Sequence, residues 1–291
     1  SIDARIRAVD QVAAIDYDPV PRYKPSYLGN TVRVFTSGYS YCTINKKLRR
    51  TLKPNWIELD LASAQLAIVA RDWGLTEVEE FLRTGKSIWW SLYDFMEWED
   101  YQTGVPLEVA KPALKKGLYA GIFGAGKETI LTEMYGTFLE GAYEVGFVAS
   151  PDFLSRIFLH PLIKQLLGER ENQIDEIEAE EEATDAFGRK IKISSDTDAR
   201  SILAQLAQSQ ELELLLPALD VAERELRRAE RKDGSPRFWI TLWQHDGFSL
   251  HVRDKSRRAS IVQRFKDAVN GATGPYQTEL EVNYPTGEFG D

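Results

Sequence analysis

Hydrophobic residues alternate with polar ones, or cluster with β-branched residues, in two short runs near the start of the chain. These runs cover residues 31–35 and 56–60, and such patterns are typical of β-strands. The second run leads directly into hydrophobic positions at helical spacing over 62–73, which predicts a helix that ends at Gly74. Asp60 therefore lies at the junction between a strand and a helix.

Helical spacing dominates the middle of the chain, from residue 76 to about residue 167. The chain then passes through an acidic window, 171–185, to a predicted pair of short strands over 187–193. A long helical pattern follows over 196–231. Pro217 is expected to divide it into two helices, because proline removes a helical hydrogen bond.

The end of the chain returns to strand patterns. Two predicted strands, 238–243 and 248–252, frame residues 245–247 as a tight hairpin. A helix over 257–269 and an alternating strand over 278–284 close the chain. Strands at both ends of a helical insertion predict an α+β fold, whose sheet is built from both ends of the sequence.

The composition is that of a globular protein, since 43% of the 291 residues are hydrophobic and 28% are charged. The formal net charge is -9, but eight carboxylates lie in the acidic window 171–185. The rest is nearly neutral and contains basic islands, each of which we interpret as a solvated face. The first island comprises Lys46, Lys47, Arg49, Arg50 and Lys53.

The sequence favours an intracellular location. Its longest nearly apolar stretch, 59–70, is far shorter than a bilayer-spanning helix requires, and charges interrupt the region where a secretory signal needs an apolar core. Cys42 is the only cysteine, which favours a reducing compartment. We therefore predict a cytoplasmic protein with no membrane partner, and the start at Ser1 is compatible with a domain excised from a longer protein.

Two aspartates interrupt otherwise apolar sequence, Asp60 at the end of a predicted strand and Asp246 at the tip of the predicted hairpin. A buried carboxylate is costly unless it is paired or binds a metal. Two such carboxylates without a nucleophilic side chain fit two-metal phosphoryl transfer, in which Mg2+ ions about 4 Å apart stabilise the entering and leaving oxygens. Asp is also favoured at turns and helix starts, so an ordinary structural role is the alternative interpretation.

A second pattern lies in the middle of the chain, where Lys111, Lys115, Tyr119 and Phe123 recur every four residues. This spacing puts two cations and two aromatic rings on one face of a helix. Such a face suits a nucleoside triphosphate, with ammonium groups on the phosphates and rings beside the sugar and base. The alternative is a surface lysine pair followed by a core aromatic pair. Because Pro112 is comfortable only in a first helical turn, Lys111 is expected at the helix N-cap.

Taken in order, these segments resemble the three polymerase motifs of family A DNA polymerases. Residues 59–66 resemble the first motif, residues 111–124 the nucleotide-binding helix of the fingers, and residues 244–248 the third motif. Three motifs in order and at suitable separations are much more specific than any one of them. Weaker similarities fill the gaps, at 31–34, 85–88, 187–189, 205–213 and 278–282.

The resemblance implies a right-hand polymerase fold, with an antiparallel palm sheet, inserted helical fingers, and a thumb that is minimal or missing. The expected domains are a lead helix and linker (1–30), a first palm part (31–75), helical fingers with an acidic insertion (76–194) and a second palm part (195–291). Processivity and proofreading are then expected to come from elsewhere.

The resemblance also assigns roles to individual residues. Asp60 and Asp246 would hold two Mg2+ ions, or Mn2+ in their place, with the Leu61 carbonyl assisting. Lys115 would contact the triphosphate and act as a proton donor to the leaving pyrophosphate. The expected nucleotide-binding residues are Leu61, Gln65, Lys111, Lys115, Tyr119, Phe123 and Gly124. His245 would contact the primer-terminal backbone, and the minor-groove contacts would be Arg33 and Gln208.

The chain departs from the family pattern at several of these positions. Gln65 replaces the Glu that crowds the ribose 2′ position and Phe123 replaces its Tyr partner, so the Glu–Tyr hydrogen bond cannot form. Lys111 replaces an Arg and loses its bidentate geometry. Gly247 replaces the acidic residue that follows the third-motif Asp, which resembles the small residue of phage-type single-subunit RNA polymerases.

The leading hypothesis is a template-directed DNA polymerase core of phage, plasmid or bacterial origin that adds dNTPs to a primer 3′ end. Its partners would be primer-template DNA, dNTPs, and other domains or replication proteins that supply thumb, primase or helicase functions. A single-subunit RNA polymerase or primase-like nucleotidyltransferase is the first alternative, favoured by Phe123 and Gly247 and disfavoured by the bulk of Gln65. A catalytically inert nucleic-acid-binding module is the second, and the presence of both Asp60 and Asp246 argues against it.

Overall fold

The strands lie mainly towards the two ends of the chain. The structure, a computed structural model, describes residues 11–13, 22–24, 35–37, 39–44, 46–97, 105–142, 150–231 and 234–284. Within these ranges the strands are β1 (Arg22–Lys24), β2 (Phe35–Ser37), β3 (Trp56–Leu61), β4 (Glu182–Thr184), β5 (Lys190–Lys192), β6 (Phe238–Trp243), β7 (Gly247–Val252) and β8 (Leu280–Asn283). β1 pairs with β2 and β4 pairs with β5, each in antiparallel orientation.

Helices make up most of the remaining described chain. They are α1 (Lys46–Leu52), α2 (Ala64–Asp72), α3 (Thr76–Arg83), α4 (Ile88–Phe95), α5 (Leu107–Ile122), α6 (Lys127–Ala142), α7 (Pro151–Ser155), α8 (Pro161–Glu180), α9 (Ala199–Arg231) and α10 (Arg258–Thr273). The side chains of Ser87 and Ser150 accept hydrogen bonds from main-chain nitrogens in the first turns of α4 and α7, and so begin these helices as N-caps.

Four of the described strands form an antiparallel sheet in the order β6-β7-β3-β8. Ile57, Glu58, Leu59 and Leu61 of β3 are buried, as expected for an inner strand that is covered on both faces. Phe265 of α10 packs against this sheet, with its ring centroid 5.5 Å from that of Phe238 and 5.3 Å from that of Phe248. A four-stranded antiparallel sheet together with many helices confirms the predicted α+β class.

The chain divides into two compact units. The first comprises the described residues within 1–64, 208–274 and 278–291, and it holds the four-stranded sheet, the β1–β2 pair, α1 and α10. The second comprises the described residues within 65–207 and 275–277, and it holds α3 to α8 and the β4–β5 pair. The predicted boundaries of palm and fingers stay predictions.

The acidic window is helical for most of its length, which sequence analysis did not predict. α8 continues to Glu180, and the first strand of the following hairpin begins at Glu182 rather than at Phe187. The helix continues because apolar residues recur at helical spacing beyond Leu167, and Ile174 and Ile177 are buried. They pack in a cluster with Ile202 and Leu203 of α9.

The predicted break at Pro217 is wrong, because α9 runs without interruption from Ala199 to Arg231. A proline inside a helix loses one main-chain hydrogen bond. Leu214, Leu215 and Ala218 around it are buried. Their packing outweighs the local preference of proline for a helix start.

Candidate active site

Asp60 lies on β3, and Asp246 lies in the turn immediately before the neighbouring strand β7. Asp60 at the end of β3 is paired with Gly247, the first residue of β7. The main-chain nitrogen of Leu61 donates a hydrogen bond to the carbonyl oxygen of Asp246 over 2.8 Å. Because neighbouring strands are about 4.8 Å apart, the sheet brings the two predicted metal ligands together.

His245 and Asp246 form the tip of the hairpin between β6 and β7. The main-chain nitrogen of Gln244 donates a hydrogen bond to the carbonyl oxygen of Gly247 over 2.8 Å and closes the turn. The pairing of β6 with β7 confirms the predicted hairpin. The side chains of His245 and Asp246 are half-buried, so both are within reach of solvent.

Gly247 is required by the close approach of β7 to β3. A Cβ atom on residue 247 would lie 2.1 Å from the carbonyl oxygen of Leu59 and 2.5 Å from Oδ1 of Asp60. Real Cβ atoms do not approach other atoms so closely, so any side chain here would displace the Asp60 carboxylate or the strand. Packing is therefore sufficient reason for a glycine at this position.

A cluster of charged residues surrounds β3 beside Asp60. The Glu58 carboxylate is buried and accepts hydrogen bonds from Arg49 at 3.3 Å and from Arg50 at 2.7 Å. The Lys46 ammonium lies 3.3 Å from Glu58 and 3.7 Å from Oδ2 of Asp60. Burial by itself would raise the pKa of Glu58, but the hydrogen bonds from Arg50 and the charges of all three bases outweigh it, so this pKa lies below its usual value.

Arg49 connects this cluster to the hairpin. Its guanidinium also donates to Oε1 of Gln244 at 3.3 Å and to the carbonyl oxygen of Tyr41 at 3.3 Å. Arg49 is only 6% exposed, so the interpretation of its basic island as a solvated face was wrong for this residue. The signal that could have found the cluster is Glu58, an acidic residue two positions before Asp60 on the same face of an apolar strand.

The donor set fits a magnesium ion. Carboxylates and main-chain carbonyls are hard oxygen ligands, which Mg2+ prefers, and Asp60, Asp246 and the carbonyl of Leu61 supply both types. Because Gly247 has no side chain, the Asp60 carboxylate has room beside it. Within the described ranges, no group of three or more His, Cys, Asp or Glu side chains is arranged to hold a metal, so a bound ion would need further ligands from water or substrate phosphates.

A cavity of about 250 Å3 opens beside the hairpin tip. Its lining consists of Tyr23, Thr36, Cys42, Thr43, Trp243, Gln244, His245 and Asp246. The Tyr23 hydroxyl accepts a hydrogen bond from the main-chain nitrogen of Trp243 at 2.7 Å, which attaches the β1–β2 pair to the hairpin. Burial raises the pKa of the Tyr23 phenol and that of the Cys42 thiol.

The second unit contains the predicted nucleotide-binding stripe on α5. Lys111 and Lys115 are exposed, whereas Tyr119 and Phe123 are half-buried. The Lys115 ammonium lies 5.3 Å from the centre of the Tyr119 ring, and the rings of Tyr119 and Phe123 are 6.4 Å apart. The opposite face of α5 is buried, so the stripe is the accessible face of this helix.

Lys111 lies inside α5, and its predicted position at the helix N-cap is wrong. The N-cap is Pro106, and Pro112 is accommodated in the second turn of the helix. Ala110, Ala113 and Leu114 on the buried face are completely inaccessible to solvent. Their packing compensates for the hydrogen bond that proline cannot donate.

The end of α5 is held by Arg170, which sequence analysis did not identify. The buried guanidinium of Arg170 donates to the carbonyl oxygens of Gly121 at 3.3 Å and Ala125 at 2.7 Å. Gly124 has a φ of +84°, and a Cβ there would lie 2.8 Å from Cβ of Arg200. A glycine is needed at position 124 for both reasons.

The remaining predicted site residues lie on α2, on α9 and outside the described ranges. Gln65 lies on α2 and is only 2% exposed. Gln208 lies on α9 and is half-buried. Arg33, together with the rest of residues 31–34, lies outside the described residues. Among the helices that the structure does describe, none is long and apolar enough to cross a membrane.

Comparison with known proteins identifies the fold. No protein-family model matches the sequence, and no curated protein matches it. Among solved structures, the chain is similar to the POL domain of Pol1 from M. smegmatis in complex with DNA primer-template and dNTP, with a TM-score of 0.57 and 16% sequence identity. The chain has a polymerase-like fold. The match covers 88% of this chain but 45% of the other, so this chain spans less than half the length of its structural neighbour.

Proposed function

We propose that this chain is the core of a template-directed DNA polymerase. It adds dNTPs to the 3′ end of a primer and releases pyrophosphate. The observation that carries the proposal is the pairing of β3 with β7, which brings Asp60 on β3 beside Asp246 in the turn that precedes β7. The likeness of the fold to a polymerase domain is consistent with this chemistry.

In the proposed reaction, the primer 3′ hydroxyl oxygen attacks the α-phosphate of the dNTP. A new P–O bond forms, the bond between the α- and β-phosphates breaks, and the hydroxyl proton is lost to solvent. Asp60, Asp246 and the Leu61 carbonyl would hold Mg2+, which when bound neutralises phosphate charge and stabilises the entering and leaving oxygens. Lys115 would bind the triphosphate and donate a proton to the leaving pyrophosphate.

The exposed face of α5 is proposed to bind the nucleotide. Lys111 and Lys115 would contact phosphate oxygens, and Tyr119 would stack beside the base and sugar. The Lys115 ammonium over the Tyr119 ring supports this role, because it holds a cation and an aromatic face next to each other. The half-burial of Tyr119 and Phe123 leaves part of each ring accessible.

Gln65 and Phe123 are proposed to influence the choice of sugar. Gln65 is nearly as large as the Glu that it replaces, so it would still exclude a ribose 2′ hydroxyl. The RNA-polymerase alternative rested partly on Gly247, and the contact of this residue with Asp60 gives that glycine a separate, structural reason. We therefore favour dNTPs over rNTPs as substrates.

Primer extension tests this function. The full chain is incubated with a labelled primer annealed to a DNA template, Mg2+, and either dNTPs or rNTPs. We expect extension with dNTPs that follows the template sequence. Extension with rNTPs alone would support the RNA-synthesising alternative, and DNA binding without extension by either set would support an inert binding module.

A further inference from the structure

A lysine lies at the carboxylate that the proposed function assigns to a metal. Lys46 is the first residue of α1, and its ammonium lies 3.7 Å from Oδ2 of Asp60 and 3.3 Å from Oε2 of Glu58. A cation therefore already neutralises one of the two oxygens of Asp60. The Lys46 ammonium and a divalent cation bound to Asp60 would repel each other, because both are positively charged.

Glu58 does not depend on Lys46 for neutralisation. It receives two hydrogen bonds from Arg50, at 3.1 Å and 2.7 Å, and another from the buried Arg49 at 3.3 Å. The buried carboxylate thus keeps two arginine partners when Lys46 moves. Loss of the Lys46 contact would therefore leave Glu58 neutralised, whereas it would change the charge beside Asp60.

The Lys46 side chain can also move away from Asp60, because it is largely exposed to solvent. Its side chain is 51% exposed, compared with 7% for Arg49 and 33% for Arg50. A lysine ammonium on a flexible chain makes a weak, easily exchanged ion pair when it is exposed. Arg49 and Arg50 have several hydrogen bonds that fix their positions, and Lys46 lies at the edge of the cluster.

We propose that Lys46 acts as a cationic placeholder at Asp60. It neutralises this carboxylate in the absence of a divalent cation and competes with that cation for it. Free metal ions then bind weakly. The site is filled mainly by a metal ion that arrives bound to nucleotide phosphates, because their negative charge partly neutralises that of the ion. This inference rests on the proposed function, because it takes Asp60 as a metal ligand.

The test is the affinity of the full chain for free Mn2+, measured by the electron paramagnetic resonance signal of unbound Mn2+ without DNA or nucleotide. Lys46→Met removes the competing charge, and we expect the Mn2+ dissociation constant to fall about 3- to 10-fold. Lys53→Met is the matched control, because the Lys53 ammonium lies over the rings of Tyr41 and Trp56 instead. It should leave the constant within about twofold of wild type.

Two further measurements separate the possible outcomes. Asp60→Asn should abolish the Mn2+ binding that Lys46→Met strengthens, and Lys46→Gln should reproduce the effect of Lys46→Met. Mn2+ should also raise the melting temperature more in Lys46→Met than in wild type. If both Lys46 variants bind Mn2+ no more tightly than wild type, and wild-type binding depends on Asp60, the placeholder role of Lys46 alone is overturned. Absence of Asp60-dependent binding in every variant would overturn the proposed metal site as well.

Discussion

Gly247 lies directly opposite Asp60 in the sheet, so close that a Cβ on residue 247 would be 2.5 Å from Oδ1 of Asp60. This relationship joins the third predicted motif to the first. It also means that the position of the Asp60 carboxylate depends on the absence of a side chain across the strand pair. The geometry of the candidate site is therefore sensitive to a single methyl group.

Gly247→Ala should destabilise the protein by about 1–3 kcal/mol, because the added methyl group overpacks the strand pair. Chemical denaturation measures this free energy of unfolding. Gly271→Ala is the control, since Gly271 lies in α10 with no atom within 4 Å of its added Cβ, and alanine is preferred to glycine within a helix. Similar stability losses in the two variants would show that β7 does not approach β3 this closely.

Glu225 should make folding sensitive to acid. It is buried, and hydrogen bonds from Arg228 and Arg237 hold its pKa well below its usual value of about 4.5. A carboxylate with a depressed pKa stabilises the fold above the unfolded pKa, and this contribution is lost as the pH falls below that value. Glu225→Gln should lower the free energy of unfolding by about 1–3 kcal/mol at pH 7.

The pH dependence distinguishes this role from simple packing. Wild type should lose more stability than Glu225→Gln when denaturation is repeated between pH 6 and about pH 3. Glu223→Gln is the matched control, because the pair between Glu223 and Arg227 is exposed and contributes little. Parallel stability curves for wild type and Glu225→Gln would contradict the prediction.

Much of the fold could be predicted because local patterns and long-range packing agree. The alternation in β3 and the turn after Gln244 each point to the element that forms. The break predicted at Pro217 and the N-cap predicted at Lys111, next to Pro112, were wrong because buried neighbours on the same helices hold these prolines in place. Local propensity cannot account for such packing.

The candidate site was only partly predictable for a related reason. Asp60 and Asp246 stand out because each interrupts apolar sequence. The contacts of Arg49 with Glu58 and Gln244 depend on the packing of α1 against two strands, which no short motif encodes. Arg170 is similar, because its hydrogen bonds at the end of α5 bridge residues far apart in sequence.

Lys115→Ala should impair nucleotide use much more than DNA binding. Removing a cation that contacts the triphosphate should raise the KM for dNTP about tenfold or more, while the Kd for primer-template should stay close to wild type. Lys116→Ala is the control, because the adjacent Lys116 pairs with Glu133 at 3.2 Å. Steady-state kinetics and fluorescence anisotropy measure the two quantities, and equal losses in both for Lys115→Ala would place α5 on the duplex instead.

Gln65→Ala should increase the incorporation of ribonucleotides, because a shorter side chain no longer crowds a 2′ hydroxyl. Phe123→Tyr is the companion variant, in which a new hydroxyl could hydrogen-bond the Gln65 amide with about 1 kcal/mol and sharpen dNTP preference. The measurement is the ratio of kcat/KM for dNTP and rNTP. Unchanged selectivity in Gln65→Ala would exclude a role of this residue in sugar choice.

The polymerase assignment is tested most directly by the single-turnover rate of dNTP addition to a primed template. Asp60→Ala and Asp246→Ala should each lower this rate about 1,000-fold or more, since metal ligands supply several kcal/mol of transition-state stabilisation. Both variants should still bind DNA, and Asp267→Ala, which changes an exposed aspartate of α10, should retain the wild-type rate. Near-normal addition by either site variant, or no template-dependent addition by the wild-type chain, would contradict the assignment.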